Sequence, residues 1–391
     1  MKLTTALLLA ISALATVRAK DSNDIDIIDV TNGGDVDDTD DTIDPDTIDK
    51  NAVYNATEDP DLLPDDERLE SHVEDIFVAE KDGCNGYVKY CNKRLSQVLW
   101  MGAHNSLTDV GFAVQRNQFV DGPHLLDAGV RYFDIDTCAR KQSGKREAPY
   151  VCHGSKKIIT QWYQPTQKGL QLIKHWMDAN PREVIMLNFG DINDFMALDG
   201  DNTATSTAQL RGELVPVLRA VFGNMVVLRG DPMDAQVHAD TATLQDLITA
   251  NRRVIINIGK GRSSNPLYWG QNDVVCNDEW YPSALKPDIL HLNYDWNSAV
   301  SYIDAHMRGP CAKQPQLINK LEFEFHTALG GTIDSNHVGA ALASYMSGLQ
   351  TSNNGKNAPY FPFNMVLTDH SDKWSSYYPQ WHATHLNYLG N

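Results

Sequence analysis

The chain has 391 residues, of which 42% are apolar and 21% charged, and its formal net charge at pH 7 is −18. That length is enough to bury a large core in one or two domains. Residues 20–75 hold 21 acidic and 3 basic side chains, whereas residues 76–391 hold 30 and 28. The nearly neutral larger part has no basic stripe, so we expect no nucleic acid partner.

The N-terminal residues have the pattern of a secretory signal. Lys2 precedes the apolar run from Leu3 to Val17, and the small residue Ala19 follows. This run is of signal-peptide length and too short to span a bilayer. A buried helix is the alternative. We predict that residues 1–19 are a signal peptide and that the protein is secreted to the extracellular space.

Residues 20–75 are rich in aspartate and poor in aromatic side chains. Such a segment cannot bury enough apolar area to offset its chain entropy, which predicts an acidic disordered segment. A solvated spacer or propeptide is favoured over loose calcium binding.

The cysteine count is even, which in a secreted chain indicates disulfides. Pairing of neighbours along the chain is the simplest arrangement. A zinc site is disfavoured because the sequence contains no CxxC pair. The expected bridges are Cys84–Cys91, Cys138–Cys152 and Cys276–Cys311.

Residues 76–391 alternate between predicted strands and helices. Helix-like apolar spacing occurs at 169–179 and 208–222. This alternation predicts an α/β fold, and the length suits a single (β/α)8 TIM-type barrel. The runs predicted to be strands are residues 97–103, 130–135, 184–189, 225–228, 253–258, 321–325 and 365–368.

Ionisable residues follow several of these predicted strands. His104, Asp134, Asp136, Asp191 and Asp369 each lie at or just after the end of an apolar run. The carboxyl ends of barrel strands are where such a fold keeps its active site. The sequence therefore predicts a polar site at that end of the barrel.

Asp134 and Asp136 are two residues apart, so on a strand both side chains face the same side. Two adjacent carboxylates repel unless a cation or a shared proton neutralises them. Their oxygens suit calcium or magnesium, and the Asn105 amide oxygen could be a third ligand. The alternative is a strand end that is salt-bridged by Arg131 or Arg140.

His104 and His153 are candidates for an acid–base pair. Two histidines at loop mouths can serve as general base and general acid on opposite sides of a phosphorus centre. For each histidine by itself, an exposed or a satisfied buried side chain is the favoured interpretation. The strand that carries Asp134 and Asp136 lies between them in sequence, and this favours the catalytic interpretation.

Three motifs, GAHNS (102–106), GVRYFDID (129–136) and CHG (152–154), occur in this order. They resemble the X region of phosphatidylinositol-specific phospholipases C, especially secreted PLC-like phosphodiesterases. The resemblance runs from about Cys84 to Asp194 and weakly to Trp374. It implies a TIM-type barrel in which a hydroxyl of the inositol ring attacks the phosphodiester. Diacylglycerol would leave, and a cyclic inositol phosphate would form.

The same resemblance implies roles for single residues. His104 and His153 match the acid–base histidines, and Asn105 and Asp136 match the metal-dependent branch, which implies Ca²⁺ first and Mg²⁺ second. Members of that branch usually carry a further acid near the end of the strand at 184–189. Gly190 stands there instead, which leaves Asn188 or Asp191 as substitutes.

Three further residues complete the predicted site. Asp369 resembles the late acid that orients a catalytic histidine, here His104, and helix capping is the alternative. Lys260 and Asp191 are assigned to substrate binding. For Lys260 the alternative is a solvated surface lysine.

The favoured function is a secreted phosphoric diester hydrolase that cleaves a phosphoinositide or related phospholipid headgroup. One alternative is a glycerophosphodiester or phospholipase D-like lipid phosphodiesterase. Another is a non-catalytic lipid- or glycan-binding barrel. The expected partners are a phospholipid or other phosphodiester substrate, with transient contact to a membrane surface. Aromatic residues that suit such contact cluster at Trp269, Trp280, Tyr281, Trp296, Trp374, Tyr377, Tyr378 and Trp381.

Overall fold

The computed structural model describes thirteen stretches of the chain. These are residues 79–110, 116–142, 145–153, 161–190, 192–194, 204–230, 232–258, 275–276, 300, 303–304, 311–323, 339–352 and 363–389. The predicted signal peptide, the predicted acidic segment, Asp191 and Lys260 lie outside the described residues.

Eleven strands form within the described residues. They are β1 (Trp100–Ala103), β2 (Tyr132–Asp134), β3 (Thr137–Gln142), β4 (Lys145–His153), β5 (Gln161–Pro165), β6 (Ile185–Phe189), β7 (Ile192–Asp194), β8 (Val254–Ile258), β9 (Val275–Cys276), β10 (Ile318–Phe323) and β11 (Met365–Thr368).

Helices connect many of these strands. They are α1 (Gly122–Asp127), α2 (Thr166–Ala179), α3 (Ala204–Phe222), α4 (Pro232–His238), α5 (Leu244–Thr249), α6 (Gly339–Ser352) and α7 (Tyr378–Tyr388). Short 3-10 helices lie at Val88–Tyr90, Leu95–Gln97, Gly223–Met225, Cys311–Lys313 and Ser371–Tyr377.

The larger sheet has seven strands in the described residues, in the order β8-β6-β2-β1-β11-β10-β9, and every pairing is parallel. Four of its strands, β1, β6, β8 and β11, are mostly apolar and buried along their length, as expected for a parallel sheet covered on both faces. The sheet curls as half of a barrel. The predicted α/β fold of TIM-barrel type is therefore confirmed.

Helix α2 shows how the connecting helices pack. Leu170, Ile173 and Met177 recur at helical spacing and are fully buried. Lys174 lies between them in sequence on the outer side and bonds Asp178 one turn later. This division into an apolar and a charged face fixes which side of the helix covers the sheet.

A second sheet of four strands, in the order β5-β4-β3-β7, was not predicted. Strands β3 and β4 form an antiparallel hairpin, and β7 joins β3 in parallel. The hairpin strands carry many charged residues, in TCARKQ and KREAPYVCH, so they have no continuous apolar run. His153, one of the two predicted acid–base histidines, is the last residue of β4.

The prediction of a strand at residues 225–228 is wrong. Residues 223–225 are a 3-10 helix, and Val226 makes only an isolated bridge to Val254. Gly223 and Gly230 bound the run, with φ of 49° and 88°. Because glycine readily adopts this left-handed region, the chain turns at both ends of the run, and Val226 alone bridges to β8.

The three predicted disulfides are confirmed: Cys84–Cys91, Cys138–Cys152 and Cys276–Cys311. Among the described residues, no helix combines the length and apolar character needed to cross a bilayer.

Candidate active site

The site forms where β1, β11 and β2 end side by side. Ala103 pairs with Thr368 in the parallel register, so the residues that follow, His104 and Asp369, emerge next to each other. The His104 backbone N–H donates to the Thr368 carbonyl at 3.0 Å. Strand pairing thus brings together two residues that lie far apart in sequence.

His104 and Asp369 form a buried pair. Their Nδ1 and Oδ1 atoms are 2.8 Å apart, and the side chains are 5% and 0% exposed. Asn117 Nδ2 donates to the same Asp369 oxygen at 2.8 Å. A carboxylate oxygen only accepts, so His104 carries its proton on Nδ1 when neutral and leaves Nε2 with a lone pair.

The chain turns sharply after β1. Asn105 and Leu107 have φ of 44° and 66°, a left-handed conformation that asparagine tolerates better than most residues. Ser106 N–H donates to the Asp134 carbonyl at 2.6 Å, and Thr108 Oγ1 donates to the Asn105 carbonyl at 2.8 Å. These bonds hold the turn against the end of β2.

The Asn105 amide connects Asn117, which lies beside His104, to His153. Its Nδ2 donates to Asn117 Oδ1 at 3.2 Å and lies 2.7 Å from His153 Nδ1. Because an amide nitrogen only donates, a neutral His153 in this arrangement accepts at Nδ1 and carries its ring proton on Nε2. A protonated His153 carries a proton on both ring nitrogens.

His153 stands at the end of β4, in the smaller sheet. The preceding residue, Cys152, is bridged to Cys138 on β3, which fixes the end of the hairpin. Asp136 Oδ2 lies 3.9 Å from His153 Nδ1, and both side chains are largely buried. The carboxylate can thus stabilise a positive charge on His153.

Asp134 is held from the neighbouring strand β6. Its register partner Asn188 donates through Nδ2 to Asp134 Oδ1 at 2.6 Å. Asn188 Oδ1 is buried and has no hydrogen-bond partner in the described part of the chain.

The Tyr132 hydroxyl on β2 stays protonated. Burial raises its pKa well above the ordinary value, and the charges of Asp134 and Glu322 add to this effect.

The two arginines that were candidate salt-bridge partners of Asp134 and Asp136 donate to glutamates instead. Arg131 Nε donates to Glu183 at 2.8 Å, and Arg140 Nε donates to Glu147 at 2.5 Å.

The surroundings of Asp134 and Asp136 suit a hard cation. A Cβ on Gly190 would lie 3.5 Å from Asp134 Oδ1, so position 190 faces this carboxylate. The orphaned Asn188 oxygen adds another hard donor. The described residues contain no cluster of three or more His, Cys, Asp or Glu side chains with metal-site geometry. A cation here would therefore depend on amide oxygens as well as the two carboxylates.

The structure brings together six of the predicted site residues, at the ends of β1, β2, β4 and β11. They are His104, Asn105, Asp134, Asp136, His153 and Asp369. Sequence reasoning missed Asn117 and Gln118, which lie in the loop after β1, where no periodic pattern marks a residue as buried. Both side chains are fully buried.

Residues 90–215 match the family described as PI-PLC X 1. A curated relative, PI-PLC X domain-containing protein 1 from Arthroderma benhamiae, is 28% identical over 211 residues. The match covers 51% of this chain, and the chain spans 61% of that relative's length. The resemblance to the X region of phosphatidylinositol-specific phospholipases C is thus confirmed.

Solved structures also match. The phosphatidylinositol-specific phospholipase C from Listeria monocytogenes is 14% identical, with a TM-score of 0.48, over 74% of this chain and 95% of that one. A mutant of the Staphylococcus aureus enzyme is 14% identical, with a TM-score of 0.45, over 77% and 98%.

Proposed function

We propose that this chain, whose residues 90–215 match the PI-PLC X family, is a secreted phosphoric diester hydrolase. It would cleave a phosphoinositide or related phospholipid headgroup by phospholipase C-type chemistry. The observation that carries this proposal is the buried His104–Asp369 pair, with His153 and its neighbouring carboxylate Asp136 at the same end of the strands.

His104 acts as the general base. Its Nδ1–H is engaged by Asp369, so Nε2 can take the proton from a substrate hydroxyl as that oxygen attacks phosphorus. The imidazolium that forms lies against the buried Asp369 carboxylate, which stabilises the positive charge. This arrangement corresponds in its logic to the base–carboxylate pairs of acyl-transfer enzymes.

His153 acts as the general acid. In its protonated imidazolium form it delivers the Nε2 proton to the oxygen of the diacylglycerol leaving group as the phosphorus–oxygen bond breaks, which leaves a neutral ring. The hydroxyl attack forms one phosphorus–oxygen bond and this step breaks another, so the product is a cyclic inositol phosphate. Asp136, 3.9 Å from Nδ1, favours the protonated ring before the transfer.

Asn105, Asp134 and Asp136 would hold a Ca²⁺ ion, or Mg²⁺ as the second choice. A divalent cation bound there lowers the pKa of an attacking hydroxyl and offsets charge on phosphoryl oxygens. The hydrogen bonds to Asn117 and His153 both use Asn105 Nδ2, which leaves its Oδ1 for a cation. Ca²⁺ titration by calorimetry on the wild type and on Asp136→Asn tests this assignment independently of turnover.

Lys260 and Asp191 are proposed to contact the substrate, and contact with a membrane surface would be transient. Two exposed apolar side chains, Val110 and Phe119, lie in the loop region after β1 that also carries Asn117. They give that region an apolar surface close to the site.

Phosphorus NMR of phosphatidylinositol micelles tests the function, with Ca²⁺ and with EDTA. We expect a cyclic inositol phosphate in Ca²⁺ and none with His153→Ala. His175→Ala, at an exposed position on α2, is the matched control and should keep full activity.

Three other results of this experiment would each support a different mechanism or function. Product formed in EDTA would support the catalytic role of the two histidines and contradict the metal requirement. Cleavage of glycerophosphodiesters or release of phosphatidic acid would favour the phospholipase D-like alternative. Lipid binding without any product would favour the non-catalytic barrel.

A further inference from the structure

The loop after β1 enters between the ends of two paired strands. Regular pairing of β1 with β11 ends at Ala103 and Thr368, and the His104 N–H then donates to the Thr368 carbonyl at 3.0 Å. A continued parallel ladder would next join the His370 N–H to the His104 carbonyl. His370, with φ of 50°, instead donates its N–H to the Asn117 carbonyl at 2.8 Å. The ladder is therefore interrupted at His104.

The side chain of Gln118 bridges the two strands at this interruption. Its Nε2 donates to the His104 carbonyl at 2.8 Å and to the Thr368 carbonyl at 3.0 Å. Its Oε1 accepts from the Ser371 N–H at 2.9 Å. A side-chain amide has two donor hydrogens and one acceptor oxygen, and here all of them bond to backbone atoms at the ends of β1 and β11. The buried amide thus replaces a peptide group of the ladder.

We propose that Gln118 is a positioning residue that sets the distance between His104 and Asp369. Its bonds reach the backbone of His104 itself and of Thr368, which directly precedes Asp369. Because one planar amide holds both chains, neither residue can shift relative to the other without breaking a buried hydrogen bond. The consequence for turnover rests on the proposed function, in which Asp369 supports His104 as the base.

Both ends of this bridge are held by further hydrogen bonds. The Gln118 backbone N–H donates to the Oγ1 of Thr108, a fully buried residue, at 3.2 Å. On the other side, Ser371 Oγ donates to the Thr368 carbonyl at 2.9 Å, and the Ser371 carbonyl accepts from the Tyr378 hydroxyl at 2.9 Å. Gln118 therefore connects two segments that are already fixed, and the spacing of the pair is set before any substrate binds.

Removing the bridge should separate the pair. Without the Gln118 amide, the buried His104 carbonyl loses a donor, and its strand end moves to regain one from water or from another group. Gln118→Met has a side chain of similar length without an amide. In this variant we expect the distance from His104 Nδ1 to Asp369 Oδ1 to increase by about 1 Å from 2.8 Å. Crystal structures of the full-length wild type and of the variant measure this distance.

Gln164→Met is the matched control. Gln164 is also a buried glutamine, and its Nε2 donates to a backbone carbonyl of the loop after β1, that of Leu107, at 3.0 Å. Its loss should destabilise the loop to a similar degree. The distance between His104 and Asp369 should keep its wild-type value in this variant, because the bridge between β1 and β11 is intact.

Kinetics on phosphatidylinositol micelles with Ca²⁺ give a second readout. For Gln118→Met we expect kcat to fall about 100-fold while KM stays within about twofold, because a misplaced base impairs the chemical step and not binding. In an Asp369→Asn background the same change should lower kcat by less than about threefold, since the pair that it positions is already lost. A purely structural effect of Gln118 would multiply with the loss from Asp369→Asn.

Two results would overturn the proposal: an unchanged distance in Gln118→Met, or full multiplication of the two kcat losses. If Gln118→Met does not fold, Gln118→Glu replaces it under the same criteria, because its ionised carboxylate accepts from the Ser371 N–H but makes neither donated bond. A wild type without turnover would overturn the proposed function alone, and the distance in the variant would still decide the role of Gln118.

Discussion

Asp369 and His104 are 265 positions apart in the chain, yet their Oδ1 and Nδ1 atoms lie 2.8 Å apart. The parallel pairing of β1 with β11 produces this contact, because each residue directly follows its strand. The strand register thus places the two residues side by side, and Asn117 in the loop after β1 adds a hydrogen bond to Asp369.

Replacing Asp369 with Asn should lower kcat by about 10²- to 10⁴-fold, because a neutral amide cannot stabilise the imidazolium that forms on His104. Steady-state kinetics on phosphatidylinositol micelles measures this. The control is Asp240→Asn, a buried aspartate that accepts from Ser96 Oγ and N–H. It should lose stability and keep its kcat. Equal losses of kcat in both variants would contradict the assigned role.

Gly190→Glu should raise the affinity for Ca²⁺ by about tenfold, since it adds a carboxylate beside Asp134. In EDTA the same variant should be less stable than the wild type, because the added charge repels its neighbours. Calorimetric titration with Ca²⁺ gives the affinity. Gly212→Glu, on α3 with open space around the position, is the control. Indistinguishable affinities in the two variants would count against a cation at this carboxylate pair.

Acidification should destabilise the fold through the buried pair His382 and His385. Both Nδ1 atoms contact the Tyr90 hydroxyl, at 2.9 and 3.1 Å. Burial lowers the pKa of His385 to about 3 and holds that of His382 well below its ordinary value. The unfolded chain binds these protons near pH 6.5, so their contribution to stability is complete above that pH. It is lost progressively as the pH falls toward about 3.

The slope is about 1.4 kcal/mol per pH unit for each histidine in that window. His385→Asn, which can still contact Tyr90 but does not titrate, should remove about half of the slope. Urea denaturation between pH 7 and pH 4 measures it. His175→Asn, at an exposed site on α2, should leave the slope unchanged. An unaltered slope in His385→Asn would show that other groups set the acid sensitivity.

Removing the Cys138–Cys152 bridge by a double change to Ser should lower the free energy of unfolding by about 3 kcal/mol, as expected for a loop of this length. It should also reduce kcat, because Cys152 precedes His153 on β4. Removing Cys84–Cys91 is the control and should affect stability alone. Denaturant titration and kinetics report the two effects, and a full kcat in the Cys138–Cys152 variant would argue that β3 does not position His153.

The parallel sheet was predictable because its strands are short apolar runs, and Met365–Thr368 forms a strand with the predicted bounds. The β3–β4 hairpin was not predictable, since its alternating charged residues carry no apolar run and cross-strand pairing is a non-local property. Asn117 was missed for a related reason. Its burial depends on contacts with Asp369 and Asn105, and a loop sequence does not encode such partners in any period.

The two histidines belong to different sheets. His104 directly follows β1 of the seven-stranded sheet, and His153 is the last residue of β4 in the four-stranded sheet. In the proposed mechanism, the residue for bond formation and the residue for bond cleavage would therefore belong to two different sheets. Substitutions in the β3–β4 hairpin would then move the proposed acid relative to the proposed base. We expect natural or engineered diversity in the leaving group to arise in residues 137–153, while the attacking hydroxyl remains the same.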